Sequence, residues 1–82
     1  MISQIRRAAL SVHLNIAEGC SRKSINERRR YFEISRGSTI EIDAALDIAT
    51  VLGYLENINL DVLGQLLLRV FKLLTAMIQA TV

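Results

Sequence analysis

Apolar residues recur three and four positions apart through almost the whole of this chain, and no proline interrupts them. Together these features leave helices as the regular structure the chain can build, because that spacing returns side chains to one side only at a 3.6-residue period. Ile2, Ile5, Ala9, Val12 and Ile16 define the face of a first helix over about residues 2–18, and Gly19 is placed to end it in a left-handed cap. Ser24 followed by Glu27 has the form of a capping box, from which a second helix runs to about residue 52, closed by Gly53. Its inner stripe is Phe32, Ser35, Thr39, Ile42, Leu46 and Ala49, flanked by Tyr31, Ser38, Ala45 and Leu52. Asn59 is a cap for a third helix, about residues 59–81, with Leu63, Leu66, Leu67, Val70, Leu74, Met77 and Ile78 as its stripe. The expected fold class is all-α.

These helices carry more apolar surface than one small domain can hide. Leu10, Leu14 and Ala17 form a second stripe on the first helix, and Ile40, Ala44, Ile48 and Val51 form one on the second. With 82 residues in a single domain, a lone core is only marginally sufficient. Regularly spaced apolar positions left in water mark an interface. A homo-oligomer is expected, with these positions as its contact surface.

Charge is also placed rather than spread. Residues 1–36 hold eight basic side chains, Arg6, Arg7, Arg22, Lys23, Arg28, Arg29, Arg30 and Arg36, against Glu18, Glu27 and Glu33, a net of +5. The remainder holds Arg69 and Lys72 against five carboxylates, a net of −3. Such a dipolar subunit suits an anionic partner at its basic end, or stacking of that end on an acidic neighbour. Arg22, Lys23, Arg28, Arg29 and Arg30 are the candidate nucleic-acid contacts, because clustered guanidinium groups bind phosphate in bidentate fashion. Cations at a helix N-terminus are out of place unless an anion compensates them. The competing reading is a solvated helix end with local pairs, Arg29 with Glu33 and Glu33 with Arg36. Tyr31 and Phe32 are the only aromatics nearby, so backbone or shape recognition is expected rather than base readout. Asp43 and Asp47, one turn apart, suit a neighbouring subunit's arginines better than they suit catalysis.

Two phrases carry a family resemblance. Ser3-Gln4-Ile5-Arg6-Arg7-Ala8-Ala9 followed by Asn15-Ile16-Ala17-Glu18-Gly19, and then Tyr31-Phe32-Glu33-Ile34-Ser35-Arg36-Gly37-Ser38, resemble the bacterial four-helix-bundle proteins first noticed in intervening sequences of 23S ribosomal RNA genes. The resemblance runs from about residue 2 to residue 55. It implies an up-and-down antiparallel bundle, assembly into ring-like pentamers and an association with ribosomal RNA. A structurally related group serves as accessory subunits of retroelement reverse transcriptases, forming basic pentameric barrels that contact nucleic acid and enzyme. Two departures stand out. Relatives carry a further helix ahead of the Ser-Gln-Ile-Arg-Arg phrase, where Met1 stands here, so a truncated member or a late-assigned start is expected. Relatives also commonly show proline where this chain has His13, and losing it restores a backbone donor and straightens the helix.

The remaining candidates are structural. Asn15 and Glu18, with Gly19, are expected to lock the first turn by hydrogen bonds across to Arg36 or Ser38, and Gly37 to permit a close helix approach, since glycine there costs about 1 kcal/mol against alanine. His13 and Cys20 are the only nucleophile and base candidates and lack a third, orienting group, so no catalytic residue is expected. One His and one Cys cannot make a four-ligand metal site, and no cofactor is expected. The lone Cys20 and the lack of a leader segment suggest a reducing cytoplasm. Residues 60–82 are long enough to cross a bilayer, but Asp61, Gln65, Arg69, Lys72 and Gln79 punctuate them at helical spacing, so no membrane partner is expected. The function expected is non-enzymatic nucleic-acid binding by a homo-oligomer. The alternative is a protein-interaction scaffold or an accessory subunit of a nucleic-acid enzyme.

Overall fold

The computed structural model describes residues 2–53 and 59–80. Three helices run in order, α1 (Ile2–Ser21), α2 (Ile25–Val51) and α3 (Leu60–Ala80). The chain folds as an all-α bundle. Contacts fix the directions: Gly19 lies against Phe32 and Ser11 bonds to Ser38, while Phe32 packs with Ile78, Arg36 bonds to Thr75 and Asp43 lines one pocket with Gly64. Rising numbers on α2 therefore meet falling numbers on both neighbours, which makes the bundle up-and-down and antiparallel. The side chain of Ile2 and the expected third-helix end at residue 81 lie outside the described residues.

The caps follow the sequence in part. Ser24 caps α2, its hydroxyl accepting the Glu27 amide at 3.4 Å. Only that half of the expected box forms, because the Glu27 carboxylate receives no bond from the Ser24 amide. Asn59 caps α3 by accepting the Val62 amide at 3.2 Å. Gly53, with φ 77°, sits in the left-handed region that favours glycine and ends α2 as expected. Gly19 does not. It is helical and buried, and α1 continues through it to Ser21. The chain also passes His13 without a break.

The core is small and lies where the three helices converge. Phe32, Leu74 and Ile78 form a buried cluster, with Ile16, Val70 and Met77 packed on it. The α2 stripe lies inward as its spacing predicts, save that the flanking Leu52 is 55 % exposed. On α1 the inner position is Ala8 rather than Ala9, which is exposed. On α3 Leu66 faces outward at 48 % exposure, and the half-buried Phe71 takes the inner place. Both departures come from centring the stripe without knowing which neighbour it would meet.

A polar seam joins α1 to α2. The hydroxyl of Ser35, fully buried, donates to the Val12 carbonyl at 2.9 Å, and that of Ser38 approaches the Ser11 hydroxyl at 2.8 Å. On the other side Arg36 reaches Thr75 at 3.3 Å and stacks over Phe71, 5.7 Å from the ring centre. Helices α1 and α3 both pack on α2, yet among the described residues their own backbones stay more than 8 Å apart. The molecule is accordingly a thin slab of 44 × 21 × 14 Å.

Candidate nucleic-acid interface

The five basic candidates gather where α1 ends and α2 begins, but they are not equivalent. Arg22 is tied down. Its guanidinium donates to Glu18 at 2.9 Å and to the Tyr31 hydroxyl at 3.3 Å, and it lies over the Tyr31 ring, 5.3 Å from the centre. The field of Tyr31, followed by the hydrogen bond donated to Glu18, holds its pKa above the ordinary arginine value. Lys23 stands exposed in the turn. Arg28 and Arg29 lie half-buried along the first turns of α2, each with an enclosed Nε that finds no acceptor. Arg30 is exposed. Three consecutive residues on a helix step by about 100° each, so these arginines fan around the rod.

Local pairing does not neutralise this end. Among the described residues the Arg22–Glu18 contact is the only ion pair, and neither Arg29 nor Arg36 is bridged to Glu33. Lys23, Arg28, Arg29 and Arg30 keep their charge free beside a helix N-terminus that is itself positive. One face of the Tyr31 ring is covered by Arg22.

The residues expected to lock the turn are dispersed. Glu18 holds Arg22, not Arg36. Asn15 donates to the carbonyl and hydroxyl of Ser11, at 2.7 and 3.0 Å, and reaches Ser38 only through that hydroxyl. Arg36 turns the other way, onto α3. Gly19 carries the close approach that was assigned to Gly37: a Cβ on Gly19 would stand 2.6 Å from the Phe32 ring, whereas one on Gly37 would meet nothing within 4 Å. The turn itself closes with Arg22 N–H donating to the Gly19 carbonyl at 3.3 Å and the Ser21 hydroxyl to Glu18 O at 2.8 Å. Sequence reasoning missed Ser11 and Tyr31. A serine in register with Ser38, and a tyrosine nine residues after an arginine across a tight turn, were the available signals.

The outer stripes are open to solvent. Leu10, Leu14, Ile40 and Ile48 are each about half exposed and Val51 is 85 % exposed; Ala17 and Ala44 are exposed as well. His13 and Cys20 stand exposed, two turns apart on α1. Among the described residues no group of three His, Cys, Asp or Glu side chains is placed to hold a metal ion, and no helix is long and apolar enough to cross a membrane.

The family model described as 23S rRNA-intervening sequence protein matches residues 1–76. No curated protein and no solved structure matches the chain.

Proposed function

The chain belongs to the 23S rRNA-intervening sequence protein family, and from that premise we propose that it is a non-enzymatic homo-oligomer whose basic ends bind the backbone of RNA or DNA. The observation that carries this reading is the set of uncompensated cations at the head of α2. Among the described residues Lys23, Arg28, Arg29 and Arg30 have no carboxylate partner, and like charge at a helix N-terminus is unfavourable until an anion arrives. Phosphates supply that anion and accept bidentate guanidinium bonds. Arg22 is held by Glu18 and Tyr31 through one nitrogen, Nη2, and adds its field and its remaining donors to this end. One such end binds weakly. Repetition of the end across identical copies raises avidity without new contacts. The exposed outer stripes, Leu10, Leu14 and Ala17 on α1 with Ile40, Ala44, Ile48 and Val51 on α2, provide the surface for that association. A reducing bacterial cytoplasm, where the exposed Cys20 stays a thiol, is the setting this reading implies.

The test is the triple variant Arg28→Ala, Arg29→Ala, Arg30→Ala in a gel-shift assay over a salt series. Loss of three phosphate contacts lowers affinity and flattens the log–log salt slope by about 2 to 3. Unchanged binding and slope would remove these arginines from the interface. The same exposed stripes support a second reading, a scaffold or accessory subunit of a nucleic-acid enzyme in which the arginines meet a partner's carboxylates. Purification at low salt without nuclease separates the two readings, because co-purifying nucleic acid raises the 260-to-280 nm absorbance ratio only under the first.

A further inference from the structure

The outer stripes of α1 and α2 are alike in apolar character and opposite in the charges that border them. On α1, Arg6 stands one turn before Leu10 and Arg7 two turns before Leu14, one on each side of the stripe. On α2, Asp43 and Asp47 run along one border of the Ile40–Ala44–Ile48–Val51 line, and Glu41 stands on the other. All five charged residues are exposed. Among the described residues none of them makes an ion pair or hydrogen bond within the chain.

The amount of open surface also points to a partner of substantial size. The chain exposes 5952 Å², where a compact monomer of 9.2 kDa exposes about 4,900 Å². The surplus, about 1,000 Å², is of the size that each partner loses at one stable protein contact, roughly 800 Å².

We infer that the outer stripe of α1 docks on the outer stripe of α2 in a second copy of this chain, with Arg6 and Arg7 against Glu41, Asp43 and Asp47. The inference rests on the oligomeric reading above and gives it a geometry. Signs select this pairing over its symmetric rivals. Two α2 stripes laid antiparallel would bring Asp43 and Asp47 of each copy into one seam, and like charges there repel. Two α1 stripes would bring Arg6 and Arg7 toward the other copy's Arg22 and Lys23, where the nearby carboxylate, Glu18, already holds Arg22. The stripe on α3, Val62, Leu66 and Leu73, has Arg69 beside it rather than a pair of arginines along its borders. Only α1 on α2 sets opposite signs along both edges of an apolar line. Each copy then uses two different surfaces toward two different neighbours, a heterologous contact that closes into rings or extends into filaments.

Light scattering of the 82-residue chain and two charge-reversed variants tests this. One variant carries Arg6→Glu and Arg7→Glu, the other Asp43→Arg and Asp47→Arg, all at exposed positions, with helicity checked by circular dichroism. Each variant alone should need at least about tenfold more protein than the unaltered chain to assemble, since attraction has become repulsion at the junction. An equimolar mixture should assemble at a lower concentration than either variant alone, because reversed arginines then meet reversed carboxylates wherever the two variants alternate. A second pair, Leu14→Asp and Ile48→Asp, should be monomeric separately and form dimers on mixing, through the one junction left intact. If either reversed variant assembles as the unaltered chain does, or if the mixture assembles no more readily than each variant alone, the pairing is wrong while the oligomeric reading stands. An unaltered chain that stays monomeric at every concentration overturns both.

Discussion

Two regions of α2 are built from the same kinds of residue and meet opposite environments. Near its start, Phe32 is 2 % exposed, held between Gly19 of α1 and Leu74 and Ile78 of α3. Along its outer side, Ile40, Ile48 and Val51 keep the same helical spacing and remain 53 to 85 % exposed. Hydrophobicity and period are equal in the two regions, so neither decides what is buried. The neighbours decide. A third helix and a glycine converge on Phe32, whereas among the described residues Ile48 is left 53 % exposed.

The largest expected effect breaks the buried side of that comparison. Phe32→Ala removes the ring on which all three helices close, at a cost of about 3–5 kcal/mol for a buried aromatic. Ile48→Ala, half exposed, should change monomer stability by no more than about 0.5 kcal/mol, as surface substitutions do. Urea denaturation at a concentration below assembly measures both. Equal losses would mean that the outer stripe is packed in the monomer after all.

The next effect concerns how the buried side is made possible. Gly19 is where the end of α1 touches the Phe32 ring, and a Cβ there would sit 2.6 Å from a ring carbon that has no room to retreat. Overpacking a tight core costs about 1–3 kcal/mol, while alanine gains about 1 kcal/mol of helix propensity over glycine. The balance for Gly19→Ala should be a loss of up to about 2 kcal/mol, read as a lower urea midpoint with an unchanged slope.

How much of this was legible follows from which interactions are local. The helices, the Ser24 and Asn59 caps, the left-handed Gly53 and the inner line from Phe32 to Ala49 depend on residues a few positions apart, and the sequence displays them. The exchange of Ala9 for Ala8 and of Leu66 for Phe71 depends on the angle at which another helix arrives. The same holds for the roles of Gly19 and Gly37, since both lie in helices and only the partner's position tells a touching glycine from an open one. Of the candidate interface, the clustering of cations was visible in the order of residues alone. That Arg22 is held by Glu18 and Tyr31 while Arg28 and Arg29 are left without acceptors required the turn geometry.

The smallest effect has the opposite sign and sharpens the open side. Gly37 lies in the interior of α2, flanking a shallow groove between α1 and α2, and a Cβ there would meet no atom within 4 Å. Gly37→Ala therefore gains helix propensity without a clash, and the monomer should be more stable by up to about 1 kcal/mol. In a domain of this size that raises the melting temperature by about 4–8 °C. The sign should hold in dilute solution whether or not copies associate. If the stabilisation disappears or reverses as concentration rises through assembly, the added methyl has met a neighbouring copy, and the groove beside Gly37 belongs to the interface along with the outer stripes. Stabilisation that is equal above and below assembly would leave that groove outside the contact.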